Sequence, residues 1–338
     1  MKTKYSKPLG DISLESEEWI ANEDRILAQQ SEHLASCEPS GIRTECLLCG
    51  LSLNDAPRFS HRSISYLSCP QCTHIQAEEI LSDAASCFDG VYPALEIDLW
   101  QSRCNRIYTP KLQWILNELD SSWMPSGKCL REHWFEIGTG AGYFLGALKA
   151  AGAVHCRGID ADPHLVARAN SFLGKDTVAC TGNFGHAIEG SQANIFVSFF
   201  VLEHLSDPLP LIKSLRSKPA GTIFAFSVPT YGLSAILESA FGCHAARNLD
   251  NILHRQLYTD ASIERLLRSI DYEPLAQWVF GQDALDFKRA ILKPLLSTYD
   301  RKMFSYVEAR LNDIMELLQG AVDISHLADA RHVLAVKR

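Results

Sequence analysis

The chain has 338 residues, of which 46% are hydrophobic and 21% are charged, so it is long enough for about two domains with a sizeable core. Its net charge of -8 and pI near 5.8 argue against nucleic acid as a partner, because nucleic-acid-binding surfaces are usually basic. The sequence has no run of 18 apolar residues, and its start lacks the apolar core of a secretory signal, which predicts a cytoplasmic protein without membrane contact.

Residues 1–44 are expected to form an N-terminal helical arm. A polar lead precedes a predicted helix from about Glu15 to Leu34, in which apolar residues recur at helical spacing. This segment contains no motif of chemical interest. We therefore expect it to pack against the rest of the chain.

Residues 45–82 contain two matched cysteine pairs, CLLC and CPQC, separated by 19 residues. Four thiolates from two such pairs suit a tetrahedral zinc site, and a site with four protein ligands leaves no open position for a substrate. A redox CxxC is the alternative, but two matched pairs exceed the need of one redox centre. The alternating segment Ile64–Leu67 predicts a strand that leads to the second pair. The segment is thus predicted to be a structural zinc ribbon with these ligands: Cys46, Cys49, Cys69 and Cys72.

Residues 83–128 are predicted to be a helical bridge between the ribbon and the following domain. Apolar residues from Leu99 to Leu116 are spaced for one buried helical face. The run SSWMPSGK at 121–128 is rich in Pro, Gly and Ser and reads as a linker.

A glycine turn between a strand and a helix dominates the next domain, predicted to span 129–338. The run WFEIGTGAGYFLGALKAA, at 134–151, begins with a short aromatic and β-branched segment and continues with helix formers. Gly138, Gly140 and Gly142 permit positive φ and present no Cβ to a ligand, while the helix that follows directs N–H groups to the same place. The turn is therefore a predicted cradle for a polar ligand. A dinucleotide is not expected, because its GxGxxG fingerprint requires a glycine at the sixth position, which is Tyr143 here.

From Trp134 onward, predicted strands and helices alternate, which indicates a mainly parallel sheet with helices on both faces. Asp160 stands at the tip of the second strand, 22 residues after Gly138, where a carboxylate can accept both hydroxyls of a ribose. Asp162 directly precedes Pro163 and is the better candidate for the helix N-cap.

The fourth strand of the domain is predicted from the nearly continuous apolar run ANIFVSFFV at 193–201. It leads into LEHLSDP at 202–208, and a fifth strand, Thr222–Val228, ends at Pro229. His204 lies at the carboxyl end of the fourth strand, where open α/β sheets bind ligands, and it is a candidate general base. A purely loop-shaping role for Glu203 and His204 is the alternative.

The glycine turn, the LEHLSDP loop and the fifth strand resemble the class I S-adenosylmethionine-dependent methyltransferases, whose first motif is (E/D)xGxGxG. The resemblance implies a Rossmann-like sheet of seven strands with helices on both faces, and helices ahead of the first strand that cover the cofactor. It also implies that Asn183 bonds the adenine edge and Phe184 stacks on it, although turn chemistry alone also favours Gly182-Asn183. The implied cofactor residues are Glu136, Gly138, Thr139, Gly140, Gly142, Tyr143, Asp160, Ala161, Asn183, Phe184 and Phe199.

The same resemblance places the acceptor side in the segment from Thr230 to Thr259. The candidate catalytic residues are Glu203 and His204 from the LEHLSDP loop, together with Tyr231 and His254 from this segment. Some quinone-precursor O-methyltransferases bind a divalent cation through an ExxEH run, but its first position is Phe200 here, so a catalytic metal is not expected. Helices from about 284 to 320 are expected either to cover the site or to form a homodimer interface.

The predicted function is methyl transfer from S-adenosyl-L-methionine to a small-molecule or carrier-bound acceptor, with Zn²⁺ in a structural role. The run CPQCTHIQ is similar to knuckles in bacterial sugar C-methyltransferases, although those enzymes usually carry a further domain. An rRNA base methyltransferase with a zinc ribbon is a second hypothesis, and its weakness is the acidic net charge. A non-catalytic scaffold of the same fold is a third.

Overall fold

The computed structural model describes residues 1–11, 39–61, 64–80, 97–122, 128–241, 248–249 and 254–338. The predicted helix from Glu15 to Leu34 lies outside the described residues. None of the helices within these ranges combines the length and the apolarity that a bilayer crossing requires.

The described strands, in chain order, are β1 (Lys2–Tyr5), β2 (Gly41–Ile42), β3 (Arg58–His61), β4 (Ile64–Ser68), β5 (Ile75–Ala77), β6 (Glu79–Ile80), β7 (His133–Ile137), β8 (His155–Asp160), β9 (Val178–Cys180), β10 (Ile195–Phe199), β11 (Ile223–Pro229), β12 (Gln256–Leu257), β13 (Tyr272–Val279) and β14 (Ala330–Lys337).

The described α-helices are α1 (Ile97–Arg103), α2 (Thr109–Ser122), α3 (Tyr143–Ala150), α4 (Pro163–Leu173), α5 (Phe184–Gly190), α6 (Leu209–Arg216), α7 (Leu233–Phe241), α8 (Asp260–Ser269), α9 (Asp283–Leu295), α10 (Arg301–Asn312) and α11 (Met315–Ile324). A π-helical segment, Cys104–Tyr108, joins α1 to α2. Three short 3-10 turns are Leu9–Asp11, Cys129–Arg131 and Leu202–His204.

The main sheet has the order β1-β13-β14-β11-β10-β7-β8-β9. All neighbouring pairs are parallel except those of β14, which is antiparallel to both β11 and β13. Two clusters of buried side chains, formed with helices, cover the sheet. The predicted mainly parallel sheet flanked by helices is therefore confirmed.

The sheet contains eight strands, whereas seven were predicted. The extra strand is Lys2–Tyr5, which pairs in parallel with β13 from Ala276 to Val279. We expected these residues in the polar lead of a helical arm. An edge strand such as β13 presents unpaired backbone groups that another segment can satisfy, and the Lys4 ammonium lies 3.6 Å from the centre of the Trp278 ring.

The centre of the sheet is formed by β10 and β11, whose residues are all buried. Continuous apolar runs suit parallel strands that are covered on both faces. Because β7 pairs with both β8 and β10, the connection direction reverses between β7 and β10. Open α/β sheets bind ligands in the crevice at such a reversal, beyond the carboxyl ends of the strands.

The cysteine-rich segment forms a small antiparallel sheet of β3, β4 and β5. The predicted strand ahead of the second cysteine pair is confirmed, since β4 spans Ile64–Ser68. The fourth strand of this sheet is β12, which follows β11 by many residues and pairs with β5. The cysteine-rich segment is thus joined to the acceptor side of the larger domain by backbone hydrogen bonds.

The helices α9 and α11 are fastened to α7 by a buried polar network centred on Asp283. Its carboxylate accepts hydrogen bonds from the Ser234 amide and hydroxyl, both at 2.9 Å, and from the Gln319 side chain at 3.2 Å. The helix between them, α10, has no buried side chain. Whether this insertion covers a site or pairs with a second copy stays a prediction.

Candidate cofactor and acceptor site

The three glycines after β7 adopt positive φ angles of 68°, 54° and 80°, as the sequence predicts. A Cβ on Gly138 would overlap Val201, and one on Gly142 would overlap Leu173. A Cβ on Gly140 would meet nothing within 4 Å. Packing therefore requires the outer two glycines, whereas the middle glycine faces open space that a ligand can approach.

Asp160 lies beside that open face. Its Oδ2 accepts a hydrogen bond of 2.7 Å from the Gly140 amide, and its Oδ1 accepts one of 2.9 Å from the Asp162 amide. Burial raises the pKa of the Asp160 carboxyl, and these amides oppose the shift. The carboxylate is half-buried, and each oxygen keeps a lone pair for a further donor.

Asp162 caps helix α4, as predicted. Its Oδ1 accepts from the amides of His164 at 2.7 Å and Leu165 at 3.1 Å, and Pro163 occupies the first helical position. The two neighbouring acids therefore have different tasks. Asp162 caps the N-terminus of α4, and the Asp160 carboxylate accepts a hydrogen bond from the glycine turn.

Glu136 lies on β7 and is almost fully buried. Burial and the nearby Asp160 raise its carboxyl pKa well above the usual range, while the Leu145 amide and Lys111 oppose this shift. Its Oε2 has no hydrogen-bond partner in the described part of the chain. Thr139 donates its hydroxyl to the Ile159 carbonyl at 2.9 Å and so ties the turn to β8, and its predicted contact with the cofactor stays a prediction.

The residues expected at the adenine have structural partners. Asn183 caps α5, because its Oδ1 accepts from the His186 amide at 3.1 Å. Phe184 is buried in the core on this face of the sheet, so only part of its surface is available for stacking. Ala161 is exposed beside Asp160. Adenine contacts by these residues stay a prediction.

The helices ahead of β7 cover the glycine turn. Trp100 donates its indole N–H to the Ala141 carbonyl at 2.7 Å. The Tyr108 and Tyr143 rings stack with centres 5.5 Å apart, and the Arg103 guanidinium lies 5.4 Å from the Tyr143 ring centre. Trp100 and Tyr108 therefore lie beside the glycine turn, and coverage of the cofactor by these helices stays a prediction.

Lys111, on α2, is a buried cation that the sequence did not single out. The residue is only 4% exposed, and its Nζ lies 4.9 to 5.3 Å from the ring centres of Tyr108, Phe199 and Phe200. Burial and the neighbouring Lys7 lower its pKa to about 7, and the carboxyls of Glu136 and Glu203 oppose the shift. The sequence contains no signal for it, because its neighbours come from distant segments.

The chain turns sharply after β10. Phe200 has φ of 57°, a left-handed conformation that is strained for a bulky residue and is often found at functional sites. Its amide donates to the Ser227 carbonyl at 2.9 Å. The turn Leu202–His204 follows directly.

Glu203, His204 and His254 meet at this turn, with one potential ligand atom from each lying within 4.8 Å of the others. The two imidazole rings have centres 5.0 Å apart, and His204 Nε2 is 4.0 Å from Glu203 Oε1. Burial raises the pKa of the Glu203 carboxyl to about 8, and Lys111 opposes the shift. The structure thus brings together three of the four predicted catalytic residues.

The fourth, Tyr231, has its ring 5.7 Å from that of Phe59 on β3. Its amide donates to the Tyr258 carbonyl at 2.9 Å. The contact therefore joins it to the cysteine-rich sheet, and a catalytic role for Tyr231 stays a prediction.

The four ribbon cysteines lie close together. The Sγ atoms are 3.6 Å apart for Cys46 and Cys72, 3.5 Å for Cys49 and Cys69, and 3.8 Å for Cys49 and Cys72. Four sulfurs at ~2.3 Å from a tetrahedral Zn²⁺ are roughly 3.8 Å apart. The donor set and these spacings are therefore close to those of a four-cysteine zinc site.

A hydrogen-bond chain leads from the ribbon to the turn after β10. Buried His74, two residues after Cys72, has its Nε2 3.1 Å from Gln256 Oε1. Gln256 Nε2 donates to the carbonyls of Leu202 at 3.2 Å and Leu205 at 2.7 Å. The ribbon therefore helps to hold the segment that carries Glu203 and His204.

Residues 122–277 match a family model described as "Methyltransferase domain". A comparison with curated protein sequences found no match. Among solved structures, the chain is similar to magnesium protoporphyrin IX methyltransferase from Synechocystis PCC 6803 with bound SAH (TM-score 0.43, 12% identity, 73% of this chain and 90% of that chain). It is also similar to a SAM-dependent methyltransferase from Archaeoglobus fulgidus (TM-score 0.41, 13% identity, 72% and 100%).

Proposed function

We propose that the protein is an S-adenosylmethionine-dependent methyltransferase that methylates a small-molecule or carrier-bound metabolite of the sugar or secondary-metabolite type. The match of residues 122–277 to the methyltransferase-domain model supports the reaction class. The net charge of -8 supports such an acceptor over RNA, because RNA binding requires a basic surface. The methyl group would pass from the sulfonium to the acceptor by in-line displacement. Holding the two in line is the main task of the protein, and such orientation supplies ~7 to 11 kcal/mol.

The observation that carries the proposal is the open face of Gly140 beside the Asp160 carboxylate. Asp160 would accept hydrogen bonds from the ribose hydroxyls, and Gly140 would allow the amino-acid part of the cofactor to approach the backbone. Both residues are already aligned, because the Gly140 amide donates to Asp160. A preformed site avoids the cost of ordering on binding.

The buried ammonium of Lys111 supports an anionic group at the inner end of the same site. The cofactor carries an α-carboxylate, and Lys111 is held by three aromatic rings near the carboxyls of Glu136 and Glu203. We assign Lys111 to that carboxylate, since a buried cation is stabilised by an anion beside it.

We assign Zn²⁺ to the four ribbon cysteines as a structural ion. The support is the sulfur spacing of 3.5 to 3.8 Å, together with the preference of zinc for thiolates. When bound, zinc would hold the two knuckles together and thereby stabilise His74 and β5. The ribbon residues themselves would then support the turn that bears His204 through Gln256.

Calorimetry with S-adenosylhomocysteine tests the cofactor assignment, and incorporation of a labelled methyl group into metabolite extracts tests the acceptor class. We expect saturable binding of one molecule per chain and label in a low-mass fraction that nuclease does not remove. Absence of S-adenosylhomocysteine binding would overturn the assignment of the cofactor site. Label that appears only in RNA would overturn the acceptor class.

The variant Lys111→Met is expected to bind S-adenosylhomocysteine about 10- to 100-fold more weakly, the value of a hydrogen bond to a charged group. It should also unfold at a higher temperature. The pKa of Lys111 in the folded protein is about 7, which is below the pKa of a lysine in the unfolded chain. Between these two pKa values only the unfolded chain binds the proton. The lysine therefore destabilises the native state below about pH 10.

Calorimetry and thermal unfolding at pH 7 check both effects of Lys111→Met. Lys302→Met, at an exposed position on α10, is the control and should change neither. If Lys111→Met lowers the unfolding temperature and leaves binding unchanged, Lys111 is a structural residue.

A further inference from the structure

A carboxylate and two imidazoles converge at the turn after β10. This turn lies near the glycine turn, because β10 pairs in parallel with β7. The ligand atoms of Glu203, His204 and His254 lie within 4.8 Å of one another. Two histidines and one carboxylate are a donor set for Fe²⁺, Mn²⁺ and Zn²⁺, with positions left open for other ligands. We propose that these three residues bind a divalent transition-metal cation at the acceptor side of the site.

Glu203 points to a missing ligand. The residue is 0% exposed, and neither carboxylate oxygen has a hydrogen-bond partner among the described residues. Leaving a buried polar group without partners costs about 1–3 kcal/mol, and more for a charged group. A cation between Glu203 and the two imidazoles would give both carboxylate oxygens a partner.

The orientation of His254 is a second and independent observation. Its Nδ1 lies 3.0 Å from the Asn248 carbonyl oxygen. A carbonyl oxygen can only accept, so Nδ1 carries the proton and Nε2 presents a lone pair. Metal-binding histidines usually donate their other ring N–H to a carbonyl or carboxylate in this way, which fixes the tautomer for the metal.

The backbone holds the ligands together. The Arg255 amide donates to the Glu203 carbonyl at 2.9 Å, and Gln256 donates to carbonyls on both sides of Glu203. His254 is thereby fastened next to His204 although the two are far apart in sequence. Phe200 led us to expect no metal at an ExxEH run, whereas the structure supplies a third ligand from a segment outside that run.

The site is reachable, because the His204 side chain is 27% exposed. As an extension that rests on the proposed function, the acceptor is an oxygen nucleophile, such as a hydroxyl, that the cation binds in an open position. A bound cation lowers the pKa of such a hydroxyl. The proton leaves to solvent, an oxygen lone pair forms the bond to the methyl carbon, and the electrons of the breaking C–S bond stay on sulfur as S-adenosylhomocysteine.

Metal content after equilibration with Zn²⁺, followed by dialysis, tests the site directly. We expect two zinc ions per chain in the wild type and one in His204→Ala, His254→Ala and Glu203→Gln. In protein whose ribbon cysteines hold zinc, electron paramagnetic resonance should show Mn²⁺ binding. Each variant should weaken this binding by at least about 100-fold, since even supporting residues of metal sites contribute 10- to 100-fold. Manganese avoids the thiolate site because it prefers oxygen and nitrogen ligands.

His186→Ala is the matched control, because this histidine is exposed on α5; it should keep two zinc ions. The His204, His254 and His186 variants should bind S-adenosylhomocysteine like the wild type, which shows that they fold. If the wild type holds one zinc ion and no Mn²⁺, or if the His204 and His254 variants keep the second ion, the metal site is refuted while the cofactor site stands. Loss of S-adenosylhomocysteine binding by the wild type would instead refute the proposed function.

Discussion

Asp160→Ala is expected to weaken S-adenosylhomocysteine binding about 10²- to 10⁴-fold, as measured by calorimetry. The proposed pair of ribose hydrogen bonds to a charged carboxylate is worth ~1.5 to 3 kcal/mol each, or ~3 to 6 kcal/mol in total. The substitution also removes the 2.7 Å hydrogen bond from the Gly140 amide. It therefore affects both the ligand contact and the alignment of the turn.

Two controls separate these effects of Asp160. Asp160→Asn keeps an acceptor for the Gly140 amide but removes the charge, so it should bind with intermediate affinity. Asp162→Ala removes the α4 cap, which should cost about 0.5 to 2 kcal/mol of stability without loss of affinity. Wild-type affinity in Asp160→Ala would show that this carboxylate orders the turn and does not bind the ribose.

Cys72→Ser is expected to abolish zinc binding in the ribbon and reduce methyl transfer strongly, while S-adenosylhomocysteine still binds. Structural zinc contributes ~10 to 16 kcal/mol in zinc-finger peptides, so the ribbon sheet should open without it. The chain from His74 through Gln256 to the Leu202 and Leu205 carbonyls would then be lost. The acceptor side should suffer more than the glycine turn.

Zinc content and hydrogen exchange check the effect of Cys72→Ser. We expect faster amide exchange in β5 and in residues 202–205, and unchanged exchange in β8. Cys180→Ser, at an exposed cysteine outside the ribbon, should leave both zinc content and hydrogen exchange unchanged. Full activity in Cys72→Ser protein that lacks zinc would separate the ribbon from the acceptor side.

The structure divides the candidate site into two parts with different supports. The glycine turn and Asp160 are held mainly by the β7–β8 pair and by the helices that precede β7. The Glu203–His204–His254 group is held by β12, and β12 pairs with the ribbon strand β5. This separation explains why we expect cofactor binding and methyl transfer to respond differently to loss of zinc.

Local patterns correctly predicted the elements that depend on nearby residues. The positive φ angles of the glycine turn, the Asp162 cap, the strand Ile64–Ser68 and the buried β10 all follow from short runs of sequence. Backbone conformation, capping and strand burial are set by the residue and its neighbours, so the sequence carries their signal.

Contacts between distant segments carried no such signal. Lys2–Tyr5 reads as a polar lead, and only the free edge of β13 makes it a strand. In the sequence Lys111 is an ordinary helix lysine, and only the fold places the Phe199 and Phe200 rings beside its ammonium. Each depends on a partner that chain folding brings from elsewhere.

The sequence by itself determined the mainly parallel α/β sheet, the glycine turn with its neighbouring acid, and the two cysteine pairs. Only the tertiary structure decided that β12 joins the ribbon to the sheet and places His254 beside Glu203 and His204. The reason is physical: periodicity and turn chemistry act over a few residues, whereas a buried carboxylate finds its neighbours through packing of segments that are remote in the chain.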